Sequence, residues 1–167
     1  MSCCLNRIWR NRDGNSTVEF ALFMPLFLLL MTGGLGLGNA VRQATELEKG
    51  LRAGALYASR MMVPGAAPLL ATADQVTVQN LVKTGGQAGT DPYLVPGWAD
   101  AGATLTIDTS LVHTFSAANA TALDVDIPVV RLSAAVPYQP LLPGLFDFIG
   151  LNAITFQLSH EQAYVGI

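Results

Sequence analysis

The chain has 167 residues and a mass of 17.7 kDa, room for one modest domain with an appendage, since domains usually run about 100 to 200 residues. Seven Lys/Arg against four Asp/Glu give +3 over Met1–Met62, and two against eight give −6 over Val63–Ile167; an acidic surface repels phosphate backbones and argues against a nucleic-acid partner. Both cysteines, Cys3 and Cys4, stand before the apolar run, so no intrachain disulfide staples the chain beyond that run, and a lipoprotein reading, which needs the cysteine after such a run, is set aside.

Met1 to Gly14 form a short polar leader with Arg7, Arg10 and Arg12. Helix-favouring sequence then runs from about Ser16 to Arg60, with Ser16 and Thr17 as candidate caps. Its first half carries no charge from Phe20 to Val41, 22 residues. At ~1.5 Å per residue that run reaches roughly 33 Å, against ~30 Å of bilayer hydrocarbon, so it is long enough to span. Pro25 and the cluster Gly33, Gly34, Gly36 and Gly38 are expected to loosen the helix. Beyond Asn39, Ala40, Ala44, Leu47, Leu51, Ala55, Ala58 and Met62 recur at spacings of three or four. That pattern predicts an amphipathic half which packs on something, with Arg42, Gln43, Glu46, Lys49 and Arg52 mostly turned elsewhere. Arginines before the run and Arg42, Lys49 and Arg52 after it leave orientation weakly determined by charge.

Val63-Pro64-Gly65 and Pro68 end the helix. DQVTVQNLVK, Asp74 to Lys83, fits a short helix or a strand equally, and Thr84 to Gly102 reads as loop. Alternating, β-branched stretches at Ala103–Phe115, Leu123–Tyr138 and Ala153–Gly166 predict three antiparallel strands. Pro128 and Pro137 argue for an edge position or breaks in the middle strand, and QPLLPGLFDFIG joins the last two strands as an apolar loop or short helix. The expected class is α+β: a long N-terminal helix, its first half left for lipid and its second half lying on a small antiparallel sheet. About 105 residues of domain make a thin core, so the amphipathic helix face is needed to complete it.

Glu19 stands at the mouth of the apolar run. A charge at mid-membrane costs about 2.5 to 3.5 kcal/mol on insertion scales, less near an interface. Two readings stay open. An isolated glutamate there can be an interfacial residue reaching for water. It can also be offset by a cation, either a leader arginine or the α-amino group that a cut after Gly14 would give Asn15. Gly14, then NSTV, then Glu19 and Phe20, then ALFMPLFLLL, resembles the class III prepilin signal of TadE-like proteins, pseudopilins of the tight-adherence (Flp, type IVb) pilus system. The likeness continues through VRQATELEKGLRAGALYASR to about Arg60, and the tail stretches VPYQPLLPGLF and ITFQLSHEQAYVG look like the end of such proteins. TadF and related minor pseudopilins share the front motif, so the paralogue stays open.

The resemblance implies a pilin-like fold and a bacterial inner-membrane protein with its N-terminus cytoplasmic and its C-terminal domain periplasmic. It implies a prepilin peptidase cutting between Gly14 and Asn15, Phe20 completing the recognition motif, and Glu19 directing assembly by pairing with the free amine of a neighbouring subunit. Partners would be that peptidase, other pilins and pseudopilins, the tight-adherence secretion machinery, and lipid around the helix. The expected layout is leader 1–14, transmembrane half 15–38, amphipathic half 39–62 and extracytoplasmic domain 63–167. A secreted or anchored binding module, with a Sec signal cut after Ala40 or no cut at all, is the rival reading, because Gly38-Asn39-Ala40 offers small residues after an apolar core.

Other candidate chemistry is sparse. GGLGLG, Gly33 to Gly38, lacks the βαβ context of a phosphate-binding loop. Gly34 and Gly38 form a GxxxG that would let another helix approach, or simply soften this one. His113 and His160 are too few for a zinc site, and neighbours in Ser159-His160-Glu161 would point to opposite faces of a strand. Asp124 and Asp126 would share a strand face and bind a cation weakly, or stay solvated. No cofactor, metal or catalytic residue is expected.

Overall fold

The computed structural model describes residues 13–63, 65, 69–115, 125–141, 144 and 154–164, with the backbone alone at 13–16, 114, 115 and 125. The leader before Asp13 and most of QPLLPGLFDFIG lie outside the described residues. The elements are α1 (Asp13–Met61), α2 (Thr72–Thr84), a 3-10 turn (Pro96–Ala99), β1 (Thr104–Phe115), β2 (Val125–Pro137) and β3 (Thr155–Ala163). This is the expected α+β class. Internal contacts divide the chain after Asn39.

In the first unit α1 begins at Asp13, so Ser16 and Thr17 lie inside the helix instead of capping it. Gly14 does not delay the start, because one glycine costs only about 1 kcal/mol in a helix. The helix also runs on through Pro25 and the glycine cluster. Thr32, polar within the apolar run, turns its hydroxyl back onto the carbonyls of Leu28 (2.7 Å) and Leu29 (3.1 Å), which satisfies it without water.

In the second unit the later turns of α1 supply Leu47, Leu51, Ala55, Ala58 and Met62 to the core, as their spacing foretold. Gln43 departs from that pattern. It is 2 % exposed, not turned outward. Its Nε2 donates to the Gln139 carbonyl (2.7 Å), its Oε1 accepts from the Gln139 N–H (3.3 Å), and the Gln139 side chain in turn donates to Asp100. One amide thus satisfies both backbone groups of a residue just past β2, and helical periodicity cannot foresee so distant a partner. Gln43→Ala is expected to lower the stability of the domain by about 1 to 3 kcal/mol, because it strands buried polar groups. Thermal unfolding of the full chain in detergent measures this, and an unchanged midpoint would show the clasp to be dispensable.

The ambiguous segment is helical. Val78 and Val82, four apart, are fully buried while Val76 is 51 % exposed; a strand would have put Val76 and Val78 on one face. Gly85, at φ 77°, closes α2 by donating its N–H to the Leu81 carbonyl (2.9 Å), the left-handed cap that glycine adopts without strain. The stretch read as loop contains the 3-10 turn and adds Val95 and Trp98 to the core.

The sheet order is β1-β2-β3, antiparallel throughout. β2 is therefore central, not an edge. Its prolines fit because they fall at the ends of the β2–β3 ladder. Pro137 pairs Thr155 at one end, and at the other Pro128 accepts from the Tyr164 N–H (2.9 Å) one residue beyond the last β2–β3 pair. Leu132, Ala134 and Val136 are buried in the core, while Arg131, Ser133 and Ala135 alternate with them. On that second face Arg131 Nε donates to Glu161 Oε1 (2.7 Å), and His113 lies 3.8 Å from the other Glu161 oxygen. The Arg131 hydrogen bond and charge hold Glu161 below the usual carboxylate range, and hydrogen bonds from Ser110 do the same for Asp108.

Candidate functional site: the head of the N-terminal helix

Gly14 and Asn15 lie in the first turn of α1, and Glu19 and Phe20 follow on the same helix. Asn15 and Glu19 are four residues apart, so one helical face carries both. A cut after Gly14 would start the helix at Asn15 and leave Glu19 one turn from the positive end of the helix dipole, where a carboxylate is favoured.

Glu19 is exposed, and Phe20 is 64 % exposed. Phe20, Phe23, Met24 and Phe27 line one apolar hollow. Their spacing is that of a single helical stripe. Of these four, the sequence pattern marks Phe20 alone, because in a run where nearly every residue is apolar no period stands out. The other large side chains of the run, from Leu22 to Leu37, are likewise exposed. Among the described residues one helix is long and apolar enough to cross a membrane, and a face of this extent marks contact with lipid or protein.

At Gly34 and Gly38 an added Cβ would meet nothing within 4 Å. The close approach of helices within this chain occurs instead at a second GxxxG, Gly50 and Gly54, against Val82 of α2. The remaining candidates stay apart. Ser159 and Glu161 are exposed on one face of β3 and His160 alternates to the other. Asp124 lies outside the described residues, and among those described no three His, Cys, Asp or Glu side chains gather.

An apolar helix long enough to cross a membrane thus continues into turns that complete a small α+β core. Residues 14–56 match the family model TadE, described as TadE-like protein, and this stretch of the chain is TadE-like. The matched residues contain Gly14, Asn15, Glu19, Phe20 and both GxxxG pairs, and the tail stretches lie beyond them. No curated protein and no solved structure matches the chain.

Proposed function

We propose that this chain is a minor pseudopilin of a tight-adherence pilus, taking part in its assembly, priming or capping and catalysing no reaction. The observation that carries this reading is Gly14, Glu19 and Phe20 at the head of an apolar helix within a TadE-like match. The leader, 1–14, stays cytoplasmic and is removed by a prepilin peptidase. Residues 15–38 span the inner membrane, 39–62 form the amphipathic half of the helix, and 63–167 form the periplasmic domain. The new amine of Asn15 supplies a cation for Glu19 at the membrane surface. Since Asn15 and Glu19 share a face of one helix, pairing within a subunit competes with pairing between subunits, and the packed filament favours the second by excluding water from it. Gly34 and Gly38, open within the chain, give a neighbouring pilin helix a place to approach.

The mature N-terminus tests this. Co-expression with a prepilin peptidase followed by intact-mass spectrometry is expected to show a chain beginning at Asn15. A chain beginning at Val41 would establish a Sec signal, although that cut falls within the 49-residue helix. A chain still beginning at Met1 would establish an uncleaved anchor.

A further inference from the structure

The sheet has two outer edges, and they differ. β1 breaks register between Asp108 and Leu111, where the Asp108 carboxylate accepts from the N–H (2.9 Å) and hydroxyl of Ser110; bulges and charges of this kind blunt an edge against further pairing. β3 has no bulge, and its one acid, Glu161, is engaged by Arg131 of β2. Its nine residues, Thr155–Ala163, keep unbroken register with β2 and include neither proline nor lysine.

The direction of its backbone groups is fixed by two hydrogen bonds. Tyr138 N–H donates to Ile154 O (2.8 Å), and Tyr164 N–H donates to Pro128 O (2.9 Å). Antiparallel ladders alternate, so the even-numbered residues of β3 face β2, and Thr155, Gln157, Ser159, Glu161 and Ala163 turn their N–H and C=O to the open edge. No described residue pairs with them there. Phe156 and Leu158 pack on the core from this strand but stay half-exposed, while their partners on β2, Val136 and Ala134, are buried.

We propose that this edge pairs with β3 of a second copy of the chain, antiparallel and centred on Ser159, joining the two sheets into one. Only that centre overlaps the whole strand. It sets edge-facing residues against edge-facing residues: Thr155 opposite Ala163, Gln157 opposite Glu161, and Ser159 opposite itself. Glu161, the one acid of the strand, then meets an amide. Centring on Glu161 would oppose two carboxylates, which is destabilising, and a shift of one residue would turn half the bonding groups away. On the core side the added strand covers Phe156 and Leu158. The pairing stands apart from the pilus reading and holds whether or not the leader is cut.

Cysteine cross-linking tests it in the full chain, in membranes, with Cys3→Ser and Cys4→Ser to remove the native thiols. Opposed residues of such a pair have Cα atoms about 5.5 Å apart, within reach of a disulfide. Ser159→Cys, oxidised with copper phenanthroline, is expected to give a reducible band at twice the monomer mass. Thr155→Cys alone should give none, because its two copies lie eight residues, roughly 27 Å, apart along the ladder. Thr155→Cys co-expressed with Ala163→Cys should restore the band. Adding Gln157→Pro to Ser159→Cys removes an edge-facing N–H without touching the β2 ladder, and the band should be lost. A Ser159→Cys chain that stays monomeric or links to a different protein, a Thr155→Cys chain that dimerises by itself, or a band that survives Gln157→Pro would overturn the proposal.

Discussion

Reversing the charge of Glu19, as in Glu19→Arg, is expected to abolish piliation while the protein still reaches the membrane. Insertion changes little, since arginine and an acidic residue cost similar amounts on insertion scales, about 2.5 to 3.5 kcal/mol at mid-helix and less at the interface where residue 19 begins the run. Assembly changes greatly. Truncating one member of a desolvated charge pair costs about 2 to 5 kcal/mol per contact, and reversing its sign adds repulsion. Because each 1.4 kcal/mol is tenfold in an equilibrium, such a loss at a subunit contact is enough to stop polymerisation. Glu19→Gln keeps the shape and loses the charge, so it should fail nearly as badly, whereas Glu19→Asp keeps the charge and should retain part of the activity. Counting pili by electron microscopy beside membrane fractionation separates the two effects. Normal pili on Glu19→Arg cells would remove the assembly role, and loss of the protein from membranes would locate the defect in insertion instead.

The second large effect is expected at Gly50 and Gly54. A Cβ at Gly50 would lie 2.6 Å from the Val82 carbonyl oxygen, and one at Gly54 would lie 2.5 Å from Val82 Cγ2 and 3.2 Å from Leu132 Cδ1. Those separations are too short, so α1 and α2 would have to part. At Gly50 the obstacle is backbone and cannot swing aside. Gly→Ala gains about 1 kcal/mol of helix propensity, which offsets part of the strain. Gly50→Leu and Gly54→Leu have no such compensation and should cost about 3 kcal/mol or more, roughly 10 °C in unfolding midpoint for a domain of this size. Gly34→Leu and Gly38→Leu serve as the contrast, because space around them within the chain is open. They should leave the midpoint unchanged and act, if at all, on contacts with other helices. Equal midpoints for all four variants would contradict the close approach of α1 to α2.

Much of this architecture is written locally. The apolar run, the three-and-four spacing of Leu47, Leu51, Ala55, Ala58 and Met62, and the two-residue alternation of the strands each report a period that a short stretch of chain enforces on itself. The motif at Gly14, Glu19 and Phe20 is equally local, and so is its likeness to TadE-like proteins. What escaped was set by distant partners. Gln43 looks like a solvent-facing residue until Gln139, 96 residues on, brings backbone groups for its amide to satisfy. Val76 and Val78 have no preference between strand and helix until the core buries Val78 alone. Trp98 sits in what composition reads as loop, yet it fills the core beside β2. The prolines of β2 forbid a central strand only if their missing N–H groups are needed, and at the ends of the β2–β3 ladder they are not.

The sequence by itself determined the long helix, the three strands, their order and the candidate processing motif, because backbone propensity and hydrophobic period act over a few residues. Tertiary structure alone decided which GxxxG makes contact within the chain, which polar side chain is buried and which strand is central. Those outcomes depend on desolvation and on shape against neighbours far along the chain, and no local pattern contains that information.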